Sequence, residues 1–108
     1  MRAGDRDRRI RIEKATEENV DGEVRRTWSP LGELWAERRP LRGTELFTAQ
    51  QLVAKADVEY RVLWPPFPIT ANETYRLVDS GRTYDITHVA QIGRREGLEL
   101  LAWTRGDQ

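Results

Sequence analysis

Residues 8–14, Arg-Arg-Ile-Arg-Ile-Glu-Lys, alternate charged with apolar positions, so an extended segment places Ile10 and Ile12 on one face and Arg9, Arg11 and Glu13 on the other. The stretch that follows, residues 15–23, is polar and ends in the turn dipeptide Asp21-Gly22, after which residues 24–28 can return as the partner strand of a hairpin. Ser29-Pro30-Leu31-Gly32 is expected to break the chain. Residues 34–39 then read as a short strand, with Leu34 and Ala36 on one side and Trp35 on the other, ending before Pro40.

Between Thr44 and Ala56 the period changes. Leu46, Ala49, Val53 and Ala56 recur at helical spacing, with Leu52 adjoining them and Gln50, Gln51 and Lys55 facing away. Thr44 is the expected N-cap and Glu45 sits favourably in the first turn. Alternation resumes at Val58, Tyr60, Val62 and Trp64 and stops at Pro65-Pro66-Phe67-Pro68, which predicts a rigid loop. Residues 75–78 and 82–92 are extended segments joined by Asp79-Ser80-Gly81, a tight-turn signal. Tyr84 and Ile86 share a parity that Val89 breaks, so a bulge is expected near Thr87-His88 unless both faces are partly covered. A last strand spans residues 98–104, and a short polar tail follows. The expected fold is mainly β: a small antiparallel barrel or sandwich of six or seven strands with one inserted short helix, in a single domain over residues 1–108.

Composition narrows the function. The chain has 108 residues, 18 basic and 18 acidic side chains, one His and no Cys. With 33% of residues charged, most outer faces are solvated. The absence of Cys removes a disulfide scaffold, a thiolate nucleophile and any thiolate-bound metal, and the lone His88, read as structural, completes no catalytic constellation. The carboxylates of Glu17-Glu18, Asp21-Glu23 and Glu96 fall in expected turns, and no Gly-rich phosphate cradle is present. The expectation is therefore a non-enzymatic protein with no cofactor and no metal. No apolar run approaches membrane-spanning length and Met1-Arg2-Ala3-Gly4-Asp5 leads into charges, so a soluble chain without a leader is expected.

Sixteen of the basic residues are Arg, in clusters that include Arg6, Arg8, Arg9 and Arg11, then Arg25-Arg26, Arg38-Arg39-Arg42 and Arg94-Arg95. Together with four Trp these raise the alternative of a small nucleic-acid-binding β-barrel. Interleaved acids and zero net charge instead favour self-association through complementary patches. The Trp residues are expected in the core or in barrel-end packing for at least two of the four, with others serving as interface anchors.

Read in order, these residues resemble the phage head–tail joining family, the head-completion or stopper proteins of long-tailed phages and gene transfer agents. The resemblance runs from the Arg8-Arg9-Ile10-Arg11-Ile12-Glu13 strand through Asp21-Gly22-Glu23, Thr27-Trp28, Leu34-Trp35-Ala36-Glu37 and Arg42-Gly43-Thr44-Glu45. It continues with Glu59-Tyr60-Arg61 and the hairpin Tyr75-Arg76-Leu77-Val78 and Gly81-Arg82-Thr83-Tyr84-Asp85-Ile86. Trp64-Pro65-Pro66-Phe67-Pro68 stands where the family has a simpler turn.

The resemblance implies a β-barrel whose copies form a homo-oligomeric, dodecameric ring at the virion neck, made in the host cytoplasm. Its partners would be the portal or head–tail adaptor on one side and the tail-terminator on the other, with non-specific proximity to packaged double-stranded DNA and no membrane. An adaptor ring rather than a stopper is the alternative within the family. The segment at about residues 39–56 matches the insertion that can reach the channel; the alternative for this helix is a cap on the barrel's open end. Arg38, Arg39, Arg42, Glu45, Leu46 and Val53 are accordingly expected at subunit contacts or along the channel.

Overall fold

The computed structural model describes residues 7–104; Arg6 of the N-terminal basic cluster and the tail at residues 105–108 lie outside that range. The elements are β1 (Arg8–Val20), β2 (Glu23–Pro40), α1 (Gly43–Leu52), β3 (Val58–Leu63), β4 (Tyr75–Asp79), β5 (Arg82–Ile92) and β6 (Gly97–Thr104). The six strands close into an antiparallel barrel in the order β1-β2-β3-β6-β5-β4, so the sheet has no free edge along its paired length. Strand parity decides what fills it. Ile10, Ile12, Tyr60, Val62, Leu77 and Leu100 are all but completely buried, each aliphatic side chain contributing about 1.5–3 kcal/mol by its removal from water.

Two irregularities tune the register. On β5, Ile86 pairs with Ala102 and His88 with Leu101, leaving Thr87 as the extra residue, and this bulge returns Val89 to the core. The Thr87 hydroxyl donates to the Leu101 carbonyl at 3.2 Å, which satisfies an acceptor the bulge would otherwise strand. On β2, the break expected at Ser29-Pro30-Leu31-Gly32 is absent: the strand runs on, with Ile12 opposite Gly32 and Glu13 opposite Pro30. The extra residue, Leu31, is absorbed as a bulge. β3 pairs with β2 only from Ala36 to Pro40, so Pro30 lies where β2 has a partner strand on one side alone, the edge-like setting in which a strand tolerates proline. A Cβ at Gly32 would lie 2.8 Å from the Phe67 ring, so glycine lets the proline loop close against β2.

The helix is shorter than its apolar spacing predicts. It ends at Leu52, Val53 is already extended, and Arg42 rather than Thr44 precedes the first turn without a side-chain cap. The chain must straighten there, because Asp57 accepts a hydrogen bond from the Leu41 amide (3.1 Å) and donates its own N–H to Ala102 (3.0 Å). Leu46, Ala49 and Val53 pack on Leu41, Ala56 and Leu101, whereas Leu52, expected beside the stripe, is 60% exposed. Leu101 has the outward parity of β6, so α1 lies on the outside wall and does not cap the barrel's end.

A polar cluster occupies the end of the barrel near the β4–β5 turn. Tyr60 donates from its hydroxyl to buried Asp79 at 2.7 Å, Arg38 donates to the Tyr60 oxygen at 3.3 Å, and Arg8 stands 3.6 Å from the same carboxylate. Burial and the Asp79 contact push the Tyr60 hydroxyl well above its usual pKa, so it remains a donor throughout the physiological range.

None of the four Trp belongs to the buried core, contrary to the expectation for at least two, although Trp64 does sit at a barrel end. Tyr60, Tyr75 and Tyr84 take the interior aromatic places, and three of the four indoles lie outside with cations over them. Arg9 covers Trp35 at 5.3 Å, Arg95 covers Trp64 at 5.9 Å, and Arg76 covers Trp28 at 4.2 Å. Trp103 is half-buried on the outer side of β6.

The β4–β5 turn places Ser80 (φ 53°) and Gly81 (φ 83°) in the left-handed region, the pattern of a tight two-residue hairpin. Gly81→Val is expected to lower stability by about 1–2 kcal/mol, the cost of a left-handed backbone for a side chain with a Cβ. Urea denaturation checks this; an unchanged midpoint would contradict the turn assignment.

Candidate functional site

Three features lie outside the core. The first follows from strand lengths. β1 pairs with β4 only from Ile10 to Lys14, and β2 with β3 only from Ala36 to Pro40, whereas β1 and β2 remain paired out to Val20 and Glu23. Residues 15–29 therefore continue as a two-stranded arm, and the chain is elongated, 48 × 29 × 26 Å. No run of apolar residues alternates along this stretch, so neither face can be buried in its own barrel.

The arm's base is braced. The Ala15 amide donates to the Thr74 carbonyl at 2.7 Å, and Arg26 pairs with Glu17 at 2.8 Å while reaching the Glu73 carbonyl at 3.4 Å. The guanidinium of Arg76 stacks over Trp28 and donates to Glu13 at 2.6 Å, and Arg11 donates to the same carboxylate at 2.8 Å. Burial alone would push the Glu13 carboxyl up, but the two guanidinium groups outweigh it and hold it below the usual range.

The second feature is a groove of about 840 Å³ at the arm end of the barrel, between the proline loop and β5. Trp64, Phe67, Val89 and Leu98 form apolar walls, and His88 and Gln91 supply polar points. No carboxylate lines it.

The third is the seam between α1 and the outer wall of β3 and β6. Arg39 bridges it, 2.8 Å from Glu45 on the helix and 3.5 Å from Glu59 on β3. Arg61 holds the other Glu59 oxygen at 2.9 Å and reaches Glu99 at 3.9 Å. Interaction with the neighbouring Glu59 carboxylate, reinforced by burial, pushes the Glu99 carboxyl up to about 7. Burial pushes Glu59 up as well, but its interactions with Glu99 and Arg61, with the charge of Arg39, bring it below the usual range. One proton thus serves two carboxylates.

Of the residues singled out from sequence, Arg39, Glu45, Leu46 and Val53 come together at this seam. Leu46 and Val53 face their own barrel. Arg38 turns into the Tyr60–Asp79 cluster instead, and Arg42 is exposed before the helix. Sequence reasoning missed Glu59 and Glu99, whose outward parity on β3 and β6 was the available signal, and it missed the arm. Among the described residues no group of three His, Asp or Glu is arranged to hold a metal ion, and no helix is long and apolar enough to cross a membrane.

A small closed β-barrel carrying an external helix and a long hairpin arm is a scaffold defined by its surfaces. The sequence model of the family described as phage head completion protein matches residues 1–105, and the chain belongs to that family, whose members are structural components of phage heads. Its fold is similar to the solution structure of protein SF1141 from Shigella flexneri 2a, at 24% identity over 100% of both chains with a TM-score of 0.78. It is also similar to a chain in the virion of a native gene transfer agent particle, at 24% identity over 89% of this chain and 91% of that one, with a TM-score of 0.59. No curated protein gives a significant match.

The shared proton sets a pH dependence. Glu99 has a folded pKa near 7, above its ordinary 4.5, so the folded state binds the extra proton between those values and stability falls as pH rises through that window. Thermal denaturation from pH 5 to pH 8 is expected to show this decline in the wild type and a flatter profile in Glu99→Gln. Identical profiles would contradict proton sharing at the seam.

Proposed function

We propose that this chain closes the DNA-filled head and joins it to the tail, as a ring of identical copies below the portal and adaptor. The observation that carries this reading is membership of the head completion family over nearly the whole chain. The fold similarity to a gene transfer agent virion chain supports a place in a phage-like particle.

Physical features fit such a role. Zero net charge built from 36 charged side chains, 18 of each sign, suits a protomer that meets two neighbours through two different surfaces, because opposite patches attract across each contact while the copies do not repel overall. A lumen of mixed charge lets DNA pass, whereas a strongly basic lining would hold it through many phosphate contacts. Gating and joining need surfaces rather than a reaction centre. The working residues are proposed to be exposed Arg42 at the channel side, with the Arg39–Glu45 pair and the Leu46 and Val53 contacts fixing α1 so that its outer side meets a neighbour. Arg38 contributes indirectly, by holding the Tyr60–Asp79 end of the barrel.

Electron microscopy of particles made without this gene tests the role: separate heads and tails, with DNA lost from the heads, are expected, and normal tailed particles would refute it. Arg42→Glu is expected to change unfolding stability by less than about 0.5 kcal/mol, as for most exposed sites, while lowering DNA retention in assembled particles. Retention equal to wild type would remove Arg42 from the working surface.

A further inference from the structure

The arm and the groove lie at the same end of the barrel. Leu63, Ile92 and Gly97, which flank the groove, are the terminal residues of their strands on the side where β1 and β2 leave the sheet. In a ring of side-by-side copies, the arm of one protomer and the groove of the next therefore stand at one height. Reach is adequate. From Lys14 to the tip at Asp21 the ribbon extends about 23 Å at the usual rise per residue, close to the 26–29 Å short dimensions of the molecule.

The two surfaces also match chemically. Within the arm Glu18 faces Arg25 and Glu17 faces Arg26, and the register leaves Asp21 and Glu23 at the tip beyond those pairs. Among the described residues neither tip acid makes an ion pair. Val24 beside them is 68% exposed. The groove offers the converse: apolar walls without a carboxylate, and at its rim the β5–β6 turn with exposed Arg94 and Arg95, the latter over Trp64. Among the described residues these two guanidinium groups make no ion pair either. The brace of Trp28, Arg76 and the Arg26–Glu73 contact holds the arm out from its own barrel, which leaves a second copy as the partner in reach.

We propose that the arm tip of one copy docks in the proline-lined groove of the next, with Asp21 and Glu23 facing Arg94 and Arg95 and Val24 entering between Trp64 and the proline loop. The contact is head-to-tail, so each copy gives one arm and receives one, which closes a ring. This inference rests on the ring reading above.

The chain has no cysteine, which makes the test direct. Val24→Cys and Thr70→Cys are introduced together and singly, both at exposed positions, and purified particles are oxidised. The double variant is expected to give a ladder of covalent multimers, particles built from a mixture of the single variants to give dimers, and each single variant alone to give monomers. Asp21→Lys with Glu23→Lys is expected to lower incorporation into particles, and Arg94→Glu with Arg95→Glu in the same chain to restore it. Dimers from Val24→Cys alone, a cross-link to a different particle protein, or no cross-link in particles holding many copies of the chain would each overturn the arm contact while sparing the ring. Particles holding a single copy or none would overturn both.

Discussion

The pairing of β1 with β4 spans only Ile10 to Lys14, and it is the seam at which the sheet meets itself. Because closure removes every sheet edge over that length, the interior holds a single layer of inward side chains and nothing larger. α1, with no fully buried residue of its own, is therefore carried on the outside wall. The two longest strands outrun their neighbours, and the surplus becomes an arm. Helix placement, arm and groove all trace to strands of unequal length closing one small barrel.

Charge organises what closure leaves outside. Among the described residues Glu13, Glu59 and Asp79 are the buried acids, and each is met by at least one guanidinium group from a neighbouring strand, with a tyrosine hydroxyl as well for Asp79. Arginine serves this purpose better than lysine, because a planar fork can bond a carboxylate and stack on an indole at once, as Arg76 does between Glu13 and Trp28. Such ties cross strands and fix register as much as they stabilise. The remaining charges, spread in both signs, suit contacts between identical copies.

Much of the barrel was legible in the sequence. The alternation at Ile10 and Ile12, the turns at Asp21-Gly22 and Ser80-Gly81, and the parity break that predicted a bulge at Thr87 all reflect local rules of backbone and side-chain geometry. What failed depended on partners distant in sequence. Pro30 reads as a strand breaker until the adjacent strand is known to stop short of it. Tryptophan reads as core until tyrosines are found in the interior and cations over three of the indoles. The helix stripe was visible, but which wall it would face depended on the outward parity of Leu101, set by β3–β6 pairing. The Glu59–Glu99 pair was hidden because its members are 40 positions apart and meet only across two strands.

The family to which the chain belongs places it among the structural proteins of the phage head. The most direct measurement is a cryo-electron microscopy reconstruction of the intact particle at side-chain resolution. The account predicts copies of this barrel side by side in one closed ring between head and tail, with α1 retained on the wall of its own barrel. Barrels scattered over the capsid shell, or a mature particle lacking this chain, would contradict it.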